Sequence, residues 1–323
     1  MAPALLFATG AAAQDCALAR YVTGVSMTAG KTNTMMVPVT INGVSKMMML
    51  DTGGGVSQLT RATLSEFNLP EQRSPSRISD IRGDVSTTRA QVGSLTLGNV
   101  SFTGKALQVE ADPSLGPPFA GLLSGDLLAD YDVDIDFGSS RLNLFSPGTC
   151  GEHGLYWTGD AVAVIPFTLS GTHITVPVML DGQKLSAIID TGAPVTTMSV
   201  DAAHRFFNLT GDALGKNLAR ASTVFAPSNA VYVHQFSSLR FAGVTVNNPV
   251  TAITPVRPAG AARGWWTPAR RGTLPDLIIG MEILRTLHLY IDYKDRKLYV
   301  TGAGKNAADL LPPVEDTAAA LSQ

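Results

Sequence analysis

The sequence predicts a mostly β fold: two similar lobes related by an approximate twofold axis, with a short helix in each lobe. Three observations carry this: an ungapped internal repeat, a second paired block later in each half, and a composition rich in turn formers. Residues 37–60 read VPVTINGVSKMMMLDTGGGVSQLT and residues 176–199 read VPVMLDGQKLSAIIDTGAPVTTMS. Eight of 24 positions are identical at an offset of 139, and Asp51 falls on Asp190. The later blocks are GLLSGDLLADYDVDIDFGSSRLNLF (121–145) and LIIGMEILRTLHLYIDYKDRKLYV (277–300), and a single-residue gap aligns Gly125 with Gly280. The 31 glycines and 19 prolines favour turns and short strands over long helices.

At 323 residues the chain has room for two units of about 150 residues each. Hydrophobic residues make up 45% and charged residues 15%, which supplies real cores and excludes a disordered chain. A net charge of −2 gives no global field for nucleic acid or an anionic membrane, so neither is an expected partner.

From the N-terminus onward, MAPALLFATGAAAQDC has a short apolar run ending in Ala11-Ala12-Ala13. That resembles a secretory signal with an A-x-A cleavage site, although no Lys or Arg precedes the run. Residues 1–14 are therefore expected to be a signal peptide, and the protein to be exported, periplasmic or secreted. No later run reaches the ~18 apolar residues that would span a bilayer. In an exported chain Cys16 and Cys150 are a disulfide candidate, against the alternative of two unrelated thiols. The first lobe is expected over 15–148, a linker over 149–157, the second lobe over 158–301, and a flexible tail over 302–323.

Within each lobe an alternating strand (VPVTI or VPVML) meets Asn42-Gly43 or Asp181-Gly182. These dipeptides are the hairpin signal of a type I′ turn, which needs positive φ at both central residues. An apolar strand follows and ends at Asp51 or Asp190. Thr-Gly then turns the backbone, glycine adopting conformations closed to other residues. Further hairpins are expected over SDIRGDVSTTRAQVGSLTLGNVSF and FAPSNAVYVHQFSSLRFAGVTVNN. A short helix is expected over the LL or IL stretch of each later block, then an alternating strand through IDF or IDY.

Matched lobes would bring Asp51 and Asp190 together on the axis. Two close carboxylates cannot both ionise easily, so they share a proton and one pKa rises. The ionised member can take a proton from water while the protonated one donates to a carbonyl oxygen. Thr52 and Thr191 can bond across the axis, and the amides of Gly53 and Gly192 can hold the carboxylates. Met49, Leu50, Leu123, Ile188, Ile189 and Ile279 are expected to pack behind the loops.

With LDTGG at 50–54, IDTGA at 189–193, and the later LLSGDLL and IIGMEIL, the chain resembles the retropepsin-like aspartic proteases over both lobes. The resemblance implies retropepsin-like β-barrel lobes and aspartic-type endopeptidase activity on a peptide or protein substrate. It implies catalysis by Asp51 and Asp190 with neither metal nor cofactor. Both aspartates lie on one chain, so a monomer suffices. The resemblance also implies a cleft covered by flaps, with tips placed at 81–86 and 225–229. Gly54, Ala193, Gly83 and Pro227 are the substrate-binding candidates.

Two departures stand out. Gly54 replaces the usual Ala, Ser or Thr, so that Gly53–Gly55 is expected to be a looser loop. Ser124 takes a place expected to be apolar before Gly125. Neither Gly54 nor Ala193 offers a hydroxyl to an ionised aspartate, which predicts a weakly acidic rather than strongly acidic optimum. Competing readings are a catalytically weak or inactive peptide-binding protein of this fold, and a structural envelope protein. Trp265-Trp266, set among arginines, is either a docking element or a loop packed on its own lobe. The five histidines show no metal-ligand spacing. The period-2 run DYDVDID is read as carboxylates on the solvent face of a strand, against a calcium site.

Overall fold

The computed structural model describes residues 20–30, 33–79, 85–110, 119–148, 155–157, 162–210, 232–241, 243–254 and 275–304. The expected signal peptide, Cys16, Cys150, Gly83, Pro227, Trp265, Trp266 and the tail beyond residue 304 lie outside the described residues.

The repeat folds as its pattern dictates. Strand Met35–Ile41 turns at Asn42-Gly43 into strand Val44–Asp51, and strand His173–Leu180 turns at Asp181-Gly182 into strand Gln183–Ile189. The four turn residues have φ of 48°, 85°, 43° and 81°, as a type I′ hairpin requires. Each hairpin feeds a sheet. In lobe one, Val44–Asp51 pairs in parallel with Gly121–Ser124, which also pairs antiparallel with Gln58–Leu59. In lobe two, Gln183–Ile189 pairs in parallel with Leu277–Ile279, which pairs antiparallel with Thr197–Ser199. Among the described residues the first sheet has eight strands and the second nine. Strand Met35–Ile41 also reaches Val85–Leu97, curling the first sheet toward closure. Strands Glu71–Ser79 and Val85–Leu97 pair antiparallel, and residues 81–84 of the expected first flap tip lie outside the described residues.

Each lobe has two short helices among the described residues. Gly125–Leu128 and Met281–Leu284 are the expected ones. Arg61–Glu66 and Val200–Phe207 were not read from the sequence. Their N-caps are Thr60 and Ser199, equivalent at the 139 offset, whose hydroxyls accept from the amides of Thr63 and Ala202 at 3.1 and 3.0 Å. The caps are legible, but neither helix has a long enough apolar period to announce itself.

The gap placed between the later blocks is corrected. Leu123 pairs with Leu50 and Ile279 with Ile189, so Ser124 corresponds to Gly280, and Gly125 to Met281. Ser124 and Gly280 are also the N-caps of equivalent helices. The blocks align with no gap at an offset of 156.

A third sheet belongs to both lobes. Among the described residues its six strands run Tyr21–Ser26, Arg141–Phe145, Asp132–Asp136, Leu287–Asp292, Lys297–Gly302, Ala163–Pro166. At its centre Asp134 faces Tyr290, its own equivalent at offset 156, flanked by Val133–Ile291 and Ile135–Leu289. The register is symmetric about that pair, so the twofold axis crosses the sheet there. One hydrophobic cluster runs through both lobes, from Val25 to Val300.

This sheet overturns the reading of the acidic run. Asp132, Asp134 and Asp136 are buried, not solvated. Arg20 pairs with Asp132, and Tyr290 donates to the same carboxylate at 3.1 Å. Asp134 accepts from Tyr156 (2.8 Å) and Asn143 (2.7 Å) and meets His288 Nε2 at 2.5 Å. Trp157 of the linker stacks on His288 with ring centroids 3.9 Å apart. A period of two says only that the aspartates share a face, and residues distant in the chain cover that face.

Candidate active site

Strands Val44–Asp51 and Gln183–Ile189 deliver Asp51 and Asp190 to the axis, and the loops after them interlock. Thr52 N donates to Thr191 Oγ1 at 3.0 Å and Thr191 N to Thr52 Oγ1 at 3.1 Å. Each hydroxyl then donates to the carbonyl preceding the opposite aspartate loop: Thr52 to Ile189 O and Thr191 to Leu50 O, both at 2.8 Å. Both threonines are fully buried. Leu50, Leu123, Ile189 and Ile279 are wholly buried behind the loops, while Met49 is half-buried and Met48 takes the core position.

The glycines are required for room. Neither Gly53 nor Gly192 has a left-handed φ. A Cβ at Gly53 would fall inside the Asp190 carboxylate, and one at Gly192 would lie 2.5 Å from Asp51 Oδ1. Each carboxylate thus packs on the glycine of the opposite lobe. Asp190 Oδ1 accepts from the amides of Gly192 (2.8 Å) and Ala193 (3.1 Å).

The two carboxylates stand side by side: a Cβ at Gly192 would lie 2.5 Å from Asp51 Oδ1 and 3.2 Å from Asp190 Oδ1. Burial and then the charge of Asp190 push Asp51 well above the usual carboxylate range, against the amides of Gly54 and Gly53. Burial also raises Asp190, opposed by the Gly192 amide, the bond from Asp51, and the amides of Ala193 and Gly53. Both carboxylates therefore hold a proton more tightly than usual, and the pair shares one proton over a raised pH range. Chemically, it is an acid and a base presented side by side.

Several residues that hold this site were missed. Behind each loop is a strap. Ser57 N donates to Asp126 Oδ1 (2.7 Å), and Ser124 N donates to Ser57 Oγ (2.9 Å). Thr196 N donates to Glu282 Oε1 (2.5 Å), and Gly280 N to Thr196 Oγ1 (3.1 Å). The pairs match at the offsets 139 and 156. The lobes also grip each other's loops. Thr172 Oγ1 donates to Gly54 O (3.2 Å) and Gly55 O (2.9 Å), and Asn33 Nδ2 reaches Pro194 O at 3.5 Å. Asn33 and Thr172 are again 139 apart. His173, buried, bonds to the backbone of Ser170 and Gly53. The three-glycine loop is therefore held from the opposite lobe, contrary to the looseness expected of it. Extending the repeat four residues upstream would have found this pair.

Of the substrate-binding candidates, Gly54 and Ala193 line the carboxylate loops and are buried. Of the first flap tip only Val85 and Ser86 are described, and the second tip at 225–229 is not. Among the described residues no His, Cys, Asp and Glu cluster could hold a metal ion, and no helix is long and apolar enough to cross a membrane.

The paired loops, with one aspartate from each of two matched β lobes, define the class. The aspartyl protease family matches residues 37–127 and 176–283. These segments cover more than half of the chain, which therefore belongs to that family. Among solved structures, the aspartic proteinase from Irpex lacteus matches with a TM-score of 0.51 and 15% identity. The match covers 88% of this chain and 98% of that one, and it shows the shared fold. No curated protein matches the sequence significantly.

Proposed function

We propose that this chain is an exported aspartic-type endopeptidase in which Asp51 and Asp190 act together on one water. The ionised carboxylate takes a proton from the water as it attacks the peptide carbonyl. The protonated carboxyl donates to the carbonyl oxygen, and a proton then passes to the leaving amine. The observation that carries this reading is the pair of adjacent carboxylates, Asp51 buried and Asp190 half-buried, each seated on the other lobe's glycine. A binding module needs no such pair. Thr52, Gly53, Thr191 and Gly192 fix the geometry, and Gly54 and Ala193 border the substrate. Export rests on the apolar, A-x-A-ending N-terminus.

The test is cleavage of a diverse peptide library between about pH 3 and about pH 7, a window chosen to bracket raised carboxylate pairs. Asp51→Asn and Asp190→Asn are run alongside. Wild type should cleave, with its optimum in the weakly acidic range, and both variants should lose activity by at least about a thousandfold. Cleavage by either variant at the wild-type rate rejects the mechanism. No cleavage by wild type rejects the activity and leaves the peptide-binding alternative.

A further inference from the structure

Lobe one departs from lobe two at two positions, 54 and 124, and the structure joins them. Lobe two has Ala193 and Gly280; lobe one has Gly54 and Ser124. A Cβ built at Gly54 would collide with Ser124 Oγ and lie 2.7 Å from Asp51 Oδ2. The side chain moved from the loop to the neighbouring strand, and it gained a hydroxyl. A Cβ built at Gly280 would lie 2.9 Å from Ala193 O and 2.5 Å from Val195 C, so lobe two has no room for the same exchange.

The hydroxyl has no structural task. Ser124 is fully buried, and its Oγ has no hydrogen-bond partner. It stands at the N-cap of helix Gly125–Leu128 but makes no capping bond. Its own amide is taken by Ser57. A buried hydroxyl left unbonded is costly, and natural structures keep few of them. A Cβ built at Gly54 meets Ser124 Oγ on one side and Asp51 Oδ2 and Cγ on the other, so the hydroxyl and the carboxylate border the same small space left by the glycine. Oδ1 of Asp51 is the oxygen against Gly192, so Oδ2 is the outer one.

We propose that Ser124 is a positioning residue whose hydroxyl donates to the outer oxygen of Asp51 when the carboxylate pair bears its negative charge. It would replace from strand Gly121–Ser124 a hydroxyl that position 54 cannot supply. The inference rests on the endopeptidase reading for its kinetic consequence only. A donor that strengthens as charge develops need not be short in the resting site. Asp190 has no equivalent, since Ala193 and Gly280 offer none, so the hydroxyl makes the pair chemically unequal. A donor to the charged form favours ionisation, and losing it raises the pH at which the pair releases its first proton. The other titratable groups around Asp51 are Asp190 from the opposite loop, Asp126 beyond Ser124, and His173 at the Gly53 backbone. Asp126 is already bonded to Ser57.

The experiment reads Asp51 directly, by the pH titration of its ¹³C-labelled carboxyl carbon, and in parallel by the acid limb of the pH–rate profile. Wild type is compared with Ser124→Ala, with Ser124→Cys, which keeps the packing without a strong donor, and with the exchange Gly54→Ser/Ser124→Gly. The first ionisation and the acid limb should move upward by on the order of one pH unit in the Ala and Cys variants. The exchange variant, which returns a hydroxyl to the same space from the loop, should move back toward wild type. A carboxyl titration unmoved in a folded Ala or Cys variant overturns the inference, as does an exchange variant that titrates like Ser124→Ala. The titration arm needs no turnover. Absent cleavage with a shifted carboxyl would reject the endopeptidase reading and keep Ser124. Retained cleavage with an unmoved acid limb would do the reverse.

Discussion

Thr52 and Thr191 carry no charge, yet they tie the two aspartate loops to each other across the axis. Each hydroxyl accepts from one buried amide and donates to one buried carbonyl, all on the opposite chain segment. Thr52→Val keeps the shape and leaves Thr191 N and Ile189 O unpaired. At about 1–3 kcal/mol for each stranded buried group, the loss should be about 2–6 kcal/mol. Thr52→Ser keeps the hydroxyl and should cost no more than about 1 kcal/mol. Urea unfolding of the two variants checks this, and equal losses would mean that the methyl, not the bond, matters. Gly53 has a steric role instead. Gly53→Ala places a methyl in the Asp190 carboxylate, so activity should disappear even where the variant folds. The motif DTG could be read from sequence as a turn and an acid. That its glycine serves the other lobe's acid could not, because nothing within three letters says what will approach from 139 residues away.

At the scale of elements, the hairpins and buried strands were legible because type I′ turns and apolar runs are local signals. The helices at Arg61–Glu66 and Val200–Phe207 were not: each is too short for an apolar period, and neither lies inside the matched blocks that carry Gly125–Leu128 and Met281–Leu284. The shared sheet was the larger omission. Strand Asp132–Asp136 alternates like a surface strand, but its polar face is closed by Arg20, Tyr156 and His288. This has a consequence for pH. Burial alone would lower the pKa of His288; the charge of Asp134, its hydrogen bond and the charge of Asp136 outweigh that and raise it. Asp132 is raised to about 6, by burial first and by Asp292 next, against Arg20. Both groups bind protons more tightly in the folded state. The stability each contributes is full at low pH and is lost as pH rises through its folded value. For Asp132 the loss should begin above the unfolded value of about 4 and run through pH 6, and for His288 it should begin above about 6.5. Thermal unfolding should therefore show a higher Tm at about pH 5 than at about pH 8. His288→Gln should flatten the upper part of that slope. A variant with an unchanged slope above about pH 6.5 would remove His288 from the account.

The whole molecule is two copies of one pattern that cannot be separated cleanly. The axis passes through Thr52/Thr191 at one end and Asp134/Tyr290 at the other, and at both ends the bonding crosses between lobes. Between them Thr172 bonds the first lobe's glycine loop, and Asn33 with Arg285 adds a further tie at 3.1 Å. Domains within one chain move independently when the surface between them is small and polar. Here a continuous β ladder and one hydrophobic cluster cross the boundary. Calorimetry should accordingly show a single unfolding transition whose van't Hoff and calorimetric enthalpies agree, rather than one for each lobe. Residues 15–148 expressed alone should not fold. Strand Asp132–Asp136 would lose Leu287–Asp292 and His288 together, leaving Asp134 without its cation. A second copy could not take that place: the symmetric register would set Asp134 against Asp134, two buried carboxylates with no histidine between them. Adding residues 158–301 in trans should restore the fold, and with it the carboxylate pair. Two separate transitions, or a folded first lobe on its own, would show that the shared sheet joins the lobes without making them interdependent.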